Sequence, residues 1–186
     1  MMGMSHQSAI IILTACFLFT SPAAPSAQTP GHVYSTWDNL EVDKCGSAWL
    51  IKRFVDTAAV FRLVPEGGPC PEGLSFDTPE SKIRRTFNKT AFDGVIAHFD
   101  ISDPAVARIA DIIKDIELNL WGRKKYAFSA QFNAQIVKII GDSPSPQEAL
   151  PNTFGLFDDL LDQIRKFVSG MPSGRMPSEK RDEKKT

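Results

Sequence analysis

The sequence predicts an α+β domain, a small mixed sheet of about three short strands packed with four to five helices, on three observations. Val33–Trp37 and Val60–Val64 are short runs of strand formers on either side of a helical stretch at residues 43–55. That strand–helix–strand order favours a parallel crossover, right-handed by the usual steric rule. From residue 90 onward the apolar residues recur at helical spacing. The 186 residues, 42% hydrophobic and 23% charged, suit one soluble globular domain with room for a tail.

Three segments follow from composition: a signal peptide over 1–27, a folded domain over 28–170 and a disordered charged tail over 171–186. Residues 8–20 form an apolar run of the length a signal peptide uses, too short to span a bilayer. Ser21-Pro22-Ala23-Ala24-Pro25-Ser26-Ala27 then offers the small residues that processing requires, although no Lys or Arg precedes the run. Export to the periplasm is therefore expected. Leu13-Thr14-Ala15-Cys16 also has the form of a lipobox, so anchoring through a lipidated Cys16 is the alternative; the apolar Phe17-Leu18-Phe19 counts against it. The tail is Pro, Ser, Arg, Lys and Glu. A formal net charge of −1 argues against nucleic acid as a partner but leaves room for a local anion site.

The helix at residues 43–55 reads with Asp43 as its N-cap. Ala48, Leu50, Ile51, Phe54 and Val55 form a core stripe. Cys45, Trp49, Lys52 and Arg53 fall on the other arc, which is either a solvent face with Trp49 covered by basic side chains or the wall of an anion site. Val60–Val64, mostly apolar, reads as a central strand. A Gly/Pro loop at 65–71 leads to a third strand at 74–77, ended by Thr78-Pro79. Lys82, Arg84, Arg85 and Lys89 then follow with no acid after Glu80. That run is either solvated or, folded back on the first helix, the second half of a cationic pocket.

Thr90-Ala91-Phe92-Asp93 resembles a capping box with Asp in place of Glu or Gln. Asp103-Pro104 opens the next helix, with Val106, Ile109, Ala110, Ile112, Ile113 and Ile116 as its stripe. A helix is predicted at 126–140 and a loop from 141 that Pro151 prolongs. The clearest amphipathic helix is at 154–168, stopped by Gly170.

His6, His32 and His98 are isolated, and there is no H-E-x-x-H, C-x-x-C, G-x-S-x-G or Gly-rich phosphate loop. Two charged sets remain. Lys44, Lys52, Arg53, Arg84 and Arg85 are candidates for an oxyanion through charge-assisted hydrogen bonds. Asp43, Asp77, Asp93, Asp115 and Glu117 are candidates for a divalent metal ion. With the signal removed, Cys45 and Cys70 are a candidate disulfide, worth about 3 kcal/mol if unstrained.

Residues 43–56 resemble the D-x-x-x-x-A-W-L-I-x-R-F-[IV]-D signature of the chromate resistance exported protein family. That family is itself similar to the C-terminal domain of the larger chromate-resistance regulator B proteins. Val60–Val64, Phe76-Asp77, Thr90-Ala91-Phe92-Asp93, Ser102-Asp103-Pro104-Ala105 and Asp115-Ile116-Glu117 extend the resemblance over about residues 37–118. It implies a role in chromate resistance, with a small oxyanion such as chromate as ligand and a neighbouring membrane transporter as candidate partner.

Four positions depart from the family pattern. Its histidine falls on Arg85, its cysteine on Thr90, its glutamate on Asp93 and a second histidine on Lys114. Permanent cations in place of imidazoles weaken metal binding and favour an anion. The leading expectation is therefore a periplasmic oxyanion- or metal-binding protein, its anion held by Lys52, Arg53, Arg84 and Arg85 in a site shaped by Asp43 and Trp49. The alternatives are a thiol-dependent chromate-detoxifying enzyme using Cys45 and Cys70, and an interaction module docking through the stripe at 154–168.

Overall fold

The computed structural model describes residues 31–169. The expected signal peptide, the Cys16 motif and the expected charged tail lie outside the described residues. The strand-forming runs pair in one direction only. β1 (Val33–Trp37) is flanked by β2 (Val60–Val64) and β3 (Leu74–Ser75), both parallel to it, in the order β2-β1-β3. A bridge from Phe76 to Ile83 prolongs the β3 edge. The α+β class is as the sequence predicts, but β2 is an edge strand and not the central one. Its apolar character has a local cause. Phe61 packs against Tyr34, Phe76 and Phe154 at ring separations of 6.0, 6.3 and 6.2 Å, while Val60 stays exposed.

The first helix, α1 (Val42–Leu50), is buried along its whole length. It is the core element and not an amphipathic surface helix. Trp49 lies between Phe92 and Phe157, centroids 6.4 and 5.5 Å away, with Phe54 edge-on at 5.7 Å. A large aromatic ring gains most when it is fully covered, provided its N–H is satisfied. Asp158 accepts that N–H at 2.8 Å. The helix then widens into a π-helical turn, Ile51–Val55. Ile51 remains buried there while Arg53 emerges to the surface.

The remaining helices enclose α1: α2 (Ala91–His98), α3 (Pro104–Glu117), α4 (Ser129–Asp142) and α5 (Pro146–Ser169). Thr90 and Asp93 complete the capping box of α2. Asp103 caps α3 by accepting the Ala105 and Val106 amides at 2.7 and 3.2 Å. Every member of the predicted α3 stripe is buried.

Two boundaries differ from the sequence reading. α4 starts later because Asp115 holds the Lys125 amide outside the helix, at 3.0 Å from each carboxylate oxygen. α5 starts at Pro146, and Pro151 lies inside it rather than prolonging a loop. Ser145 and Glu148 exchange hydrogen bonds at its start, a Ser-x-x-Glu signature that nucleates the extra turn. Burial of Ala149 and Leu150 offsets the missing Pro151 N–H.

Phe154, Phe157, Leu160, Leu161 and Ile164 are all buried in the chain's own core, so most of the α5 stripe packs internally, while Phe167 stays 63% exposed. None of the described helices is long and apolar enough to cross a membrane.

Gly46 sits where α1 meets α3 and α5. A Cβ there would lie 2.8 Å from Ile113 Cδ1 and 3.1 Å from Phe157 Cε1. A Gly46→Val substitution adds two further carbons to this contact and should cost about 3 kcal/mol, read as a lowered urea midpoint. An unchanged midpoint would mean that the helices do not meet this closely.

Candidate functional site

Ligand sites in parallel sheets form outside the carboxyl ends of the strands, where connections leave in opposite directions. β1 leads into α1 and on to β2 on one side, while β3 pairs on the other. At that end lies a cavity of about 450 Å³. Trp37 lines it from the end of β1, Asn39 and Glu41 from the segment that follows, and Lys44 from α1. Asp77 and Thr78 line it from the turn after β3, with Arg84 and Arg85 from the loop beyond. The Trp37 indole N–H donates to Gly68 O at 2.8 Å, which fixes one wall.

Lys44 forms the floor, its side chain only 2% exposed. Its ammonium donates to Asn39 O at 3.1 Å and Asn39 Oδ1 at 2.6 Å, and it lies 3.7 Å from Asp77 Oδ2. Arg85 is the hub. Its guanidinium contacts Glu41, Asp43 Oδ2 at 3.4 Å and Glu117 Oε2 at 3.1 Å. Burial works against its charge, but Glu41, Glu117 and Asp43 outweigh that and raise its pKa.

Asp43 does not cap its own helix. The N-cap position is Glu41, which makes no side-chain cap. The fully buried Asp43 carboxylate crosses to α2 instead and accepts the Ala91 and Phe92 amides at 2.7 and 2.8 Å. Burial, and then the charge of Asp77, push Asp43 up to about 7 despite those amides and Arg85. Glu117 is also raised, by burial and by Glu41, while Arg85 pulls the other way.

The structure brings together Arg84 and Arg85 from the anion set, with Asp43, Asp77 and Glu117 from the metal set. It separates the others. Lys52 donates to Ala59 O at 3.0 Å. Arg53 pairs with Asp158 through contacts of 3.0 and 2.8 Å, beside the buried Trp49, in a knot remote from the cavity lining. Lys52, Arg53 and Trp49 therefore do not shape the pocket. Asp93 serves the α2 cap and pairs with Lys114 at 3.2 Å. Asp115 is structural: burial opposes its charge, but hydrogen bonds from Asn119, the Lys125 amide and Ser129 hold it at about 2.

Among the described residues, no group of three or more His, Cys, Asp or Glu is placed to hold a metal ion. Arg85 occupies the space between the acids that would have to converge. Cys45 and Cys70 are free, and the anticipated bridge is not formed. Cys45 is buried in the core beside Thr153, and burial pushes its thiol up to about 12, which disfavours the reactive thiolate at neutral pH. Cys70 sits in the loop between β2 and β3.

Glu41 was missed by sequence reasoning, and Lys44 was named among the cations without being chosen. The run Glu41-Val42-Asp43-Lys44 at the helix start was the available signal. The four departures from the resembled pattern gather at the N-terminus of α2. Arg85 reaches Asp43 there, Thr90 and Asp93 cap the helix, and Lys114 closes on Asp93.

A family model described as the C-terminal domain of ChrB matches residues 34–164. Protein ChrB of Cupriavidus metallidurans (strain CH34) is 27% identical over 141 residues, a match that takes in 75% of this chain and 40% of that protein. This chain thus spans well under half the length of that relative. No solved structure matches.

The Arg85 hub has a pH signature. Asp43 has a folded pKa of about 7 against an ordinary 3.8, so its contribution to stability is full at low pH and is lost as pH rises through that window. Arg85 opposes the loss. Arg85→Gln should therefore cost about 2 kcal/mol at pH 8 and clearly less at pH 5, by urea denaturation. Equal deficits at the two pH values would show that Arg85 does not compensate these carboxylates.

Proposed function

The chain belongs to the ChrB C-terminal domain family, and on that premise we propose that it serves chromate resistance by holding a small oxyanion in the cavity at the carboxyl ends of β1 and β3. The observation that carries this reading is the convergence of Lys44, Arg84 and Arg85, from α1 and the loop after β3, on one cavity. Arg84 is exposed and makes one hydrogen bond, to Pro79 O at 3.1 Å, out of the five donors a guanidinium carries. Lys44 supplies a positive charge shielded from salt. Glu41 and Arg85 form the more accessible of the hub's pairs, and an entering anion exchanges with Glu41 for Arg85. We place this binding in the periplasm, reached through the leader expected at residues 1–27.

The alternative ligand, a divalent metal ion, is less well supported because Arg85 already neutralises Glu41, Asp43 and Glu117. Thiol chemistry is less well supported because Cys45 is sealed in the core.

Isothermal titration with chromate tests the proposal. Wild-type protein should show saturable heat that weakens as ionic strength rises. Arg84→Gln should weaken binding about tenfold, the loss of one charge-assisted hydrogen bond. Arg53→Ala should leave the affinity unchanged. Absence of saturable heat, or equal affinity in wild type and Arg84→Gln, refutes the site.

A further inference from the structure

The cavity that holds the cations also holds an acid whose needs the fold leaves unmet. Asp77 follows β3 with φ of +49°, a left-handed conformation that Asp and Asn tolerate better than most residues. Its N–H donates to Ile83 O at 2.7 Å, which locks the conformation. Its side chain is 6% exposed, and Oδ2 accepts no hydrogen bond. The nearest cation, Lys44 Nζ at 3.7 Å, is beyond hydrogen-bond distance and is already held by Asn39.

A nearly buried carboxylate without a donor is costly and uncommon. Here it is kept in a strained backbone position on the wall of a cavity that also carries Lys44, Arg84 and the Arg85–Glu41 pair. A fully deprotonated anion entering the cavity meets Lys44 and Arg84 favourably but sets an oxygen against Asp77. An anion that retains one proton has an O–H to donate there. A site built to hydrogen-bond a ligand O–H rejects the analogue that lacks it more strongly than shape alone could.

We propose that Asp77 makes the pocket selective for tetrahedral oxyanions that keep a proton near neutral pH, hydrogenchromate and hydrogenphosphate, over sulfate, which keeps none. This rests on the oxyanion reading of the same site. The ligand O–H donates to the Asp77 carboxylate while the other oxygens accept from Lys44 and Arg84. No bond is made or broken.

Titration calorimetry with phosphate, sulfate and chromate tests it. Phosphate should bind wild-type protein at least tenfold more tightly than sulfate. Asp77→Asn keeps a side chain suited to the left-handed backbone and replaces an acceptor by a donor. It should raise sulfate affinity at least tenfold and close the gap, a gain that mere structural damage does not produce. A second measurement uses wild-type protein alone. Between pH 6 and 8 the ratio of chromate to phosphate affinity should fall, because chromate gives up its only proton in that range, whereas phosphate, passing from the dihydrogen to the monohydrogen form, still keeps one. Glu41, Asp43 and Glu117, which face Asp77 together with Lys44, Arg84 and Arg85, act on both anions alike and cancel in the ratio. Equal, saturable binding of phosphate and sulfate to wild type overturns the role of Asp77 and leaves the oxyanion site standing. No binding of any of the three overturns both.

Discussion

The Asp43 carboxylate leaves its own helix and accepts the two amides that open α2, and the packing of α1, α2 and α3 depends on that crossing. Glu117, at the end of α3, meets the same point through Arg85, whose guanidinium lies 3.1 Å from Glu117 Oε2 and 3.4 Å from Asp43 Oδ2. Helix N-termini carry orphan N–H groups and a partial positive charge, so the Asp43 carboxylate at the start of α2 is stabilising. What is unusual is that this carboxylate is supplied by a different helix. Such capping, with Arg85 bridging on to Glu117, ties three helices together at one point.

The same arrangement concentrates charge. Glu41, Asp43, Asp77 and Glu117 all act on the space around Arg85 and Lys44. With burial removing water as a compensator, two permanent cations become structural requirements of the fold. This gives a physical account of the departures from the family pattern. Where the resemblance implies histidine, this chain carries Arg85 and Lys114, each paired with acids at the α2 N-terminus. The site is neutralised from within, so stability, protonation and any bound ion draw on the same groups.

The second polar knot, Trp49 and Arg53 on Asp158, plays the opposite role. It joins α1 and its π-helical turn to α5 across the core, with the Arg53 guanidinium 5.8 Å from the Phe154 ring. Its cation is fully engaged, which is why a residue that looked like an anion ligand from its place beside Trp49 acts as a fastening.

Local chemistry was legible in the sequence by itself. The strand runs at Val33–Trp37 and Val60–Val64, the caps at Thr90 and Asp103, the buried stripe of α3 and the family signature around Trp49 all depend on residues within a turn or two of one another. Arg84, Arg85, Asp43 and Asp77 were also named as site residues, although within two unrelated sets. Only the tertiary structure decided which face of α1 is inside, that β1 and not β2 is central, that Pro151 is helical, and that Arg85 stands among the acids while Arg53 does not. The physical reason is range. Asp43 meets Phe92, Arg53 meets Asp158 and Lys44 meets Asp77 across long stretches of chain. Periodicity records which side of an element is apolar, but not which partner will come to cover it.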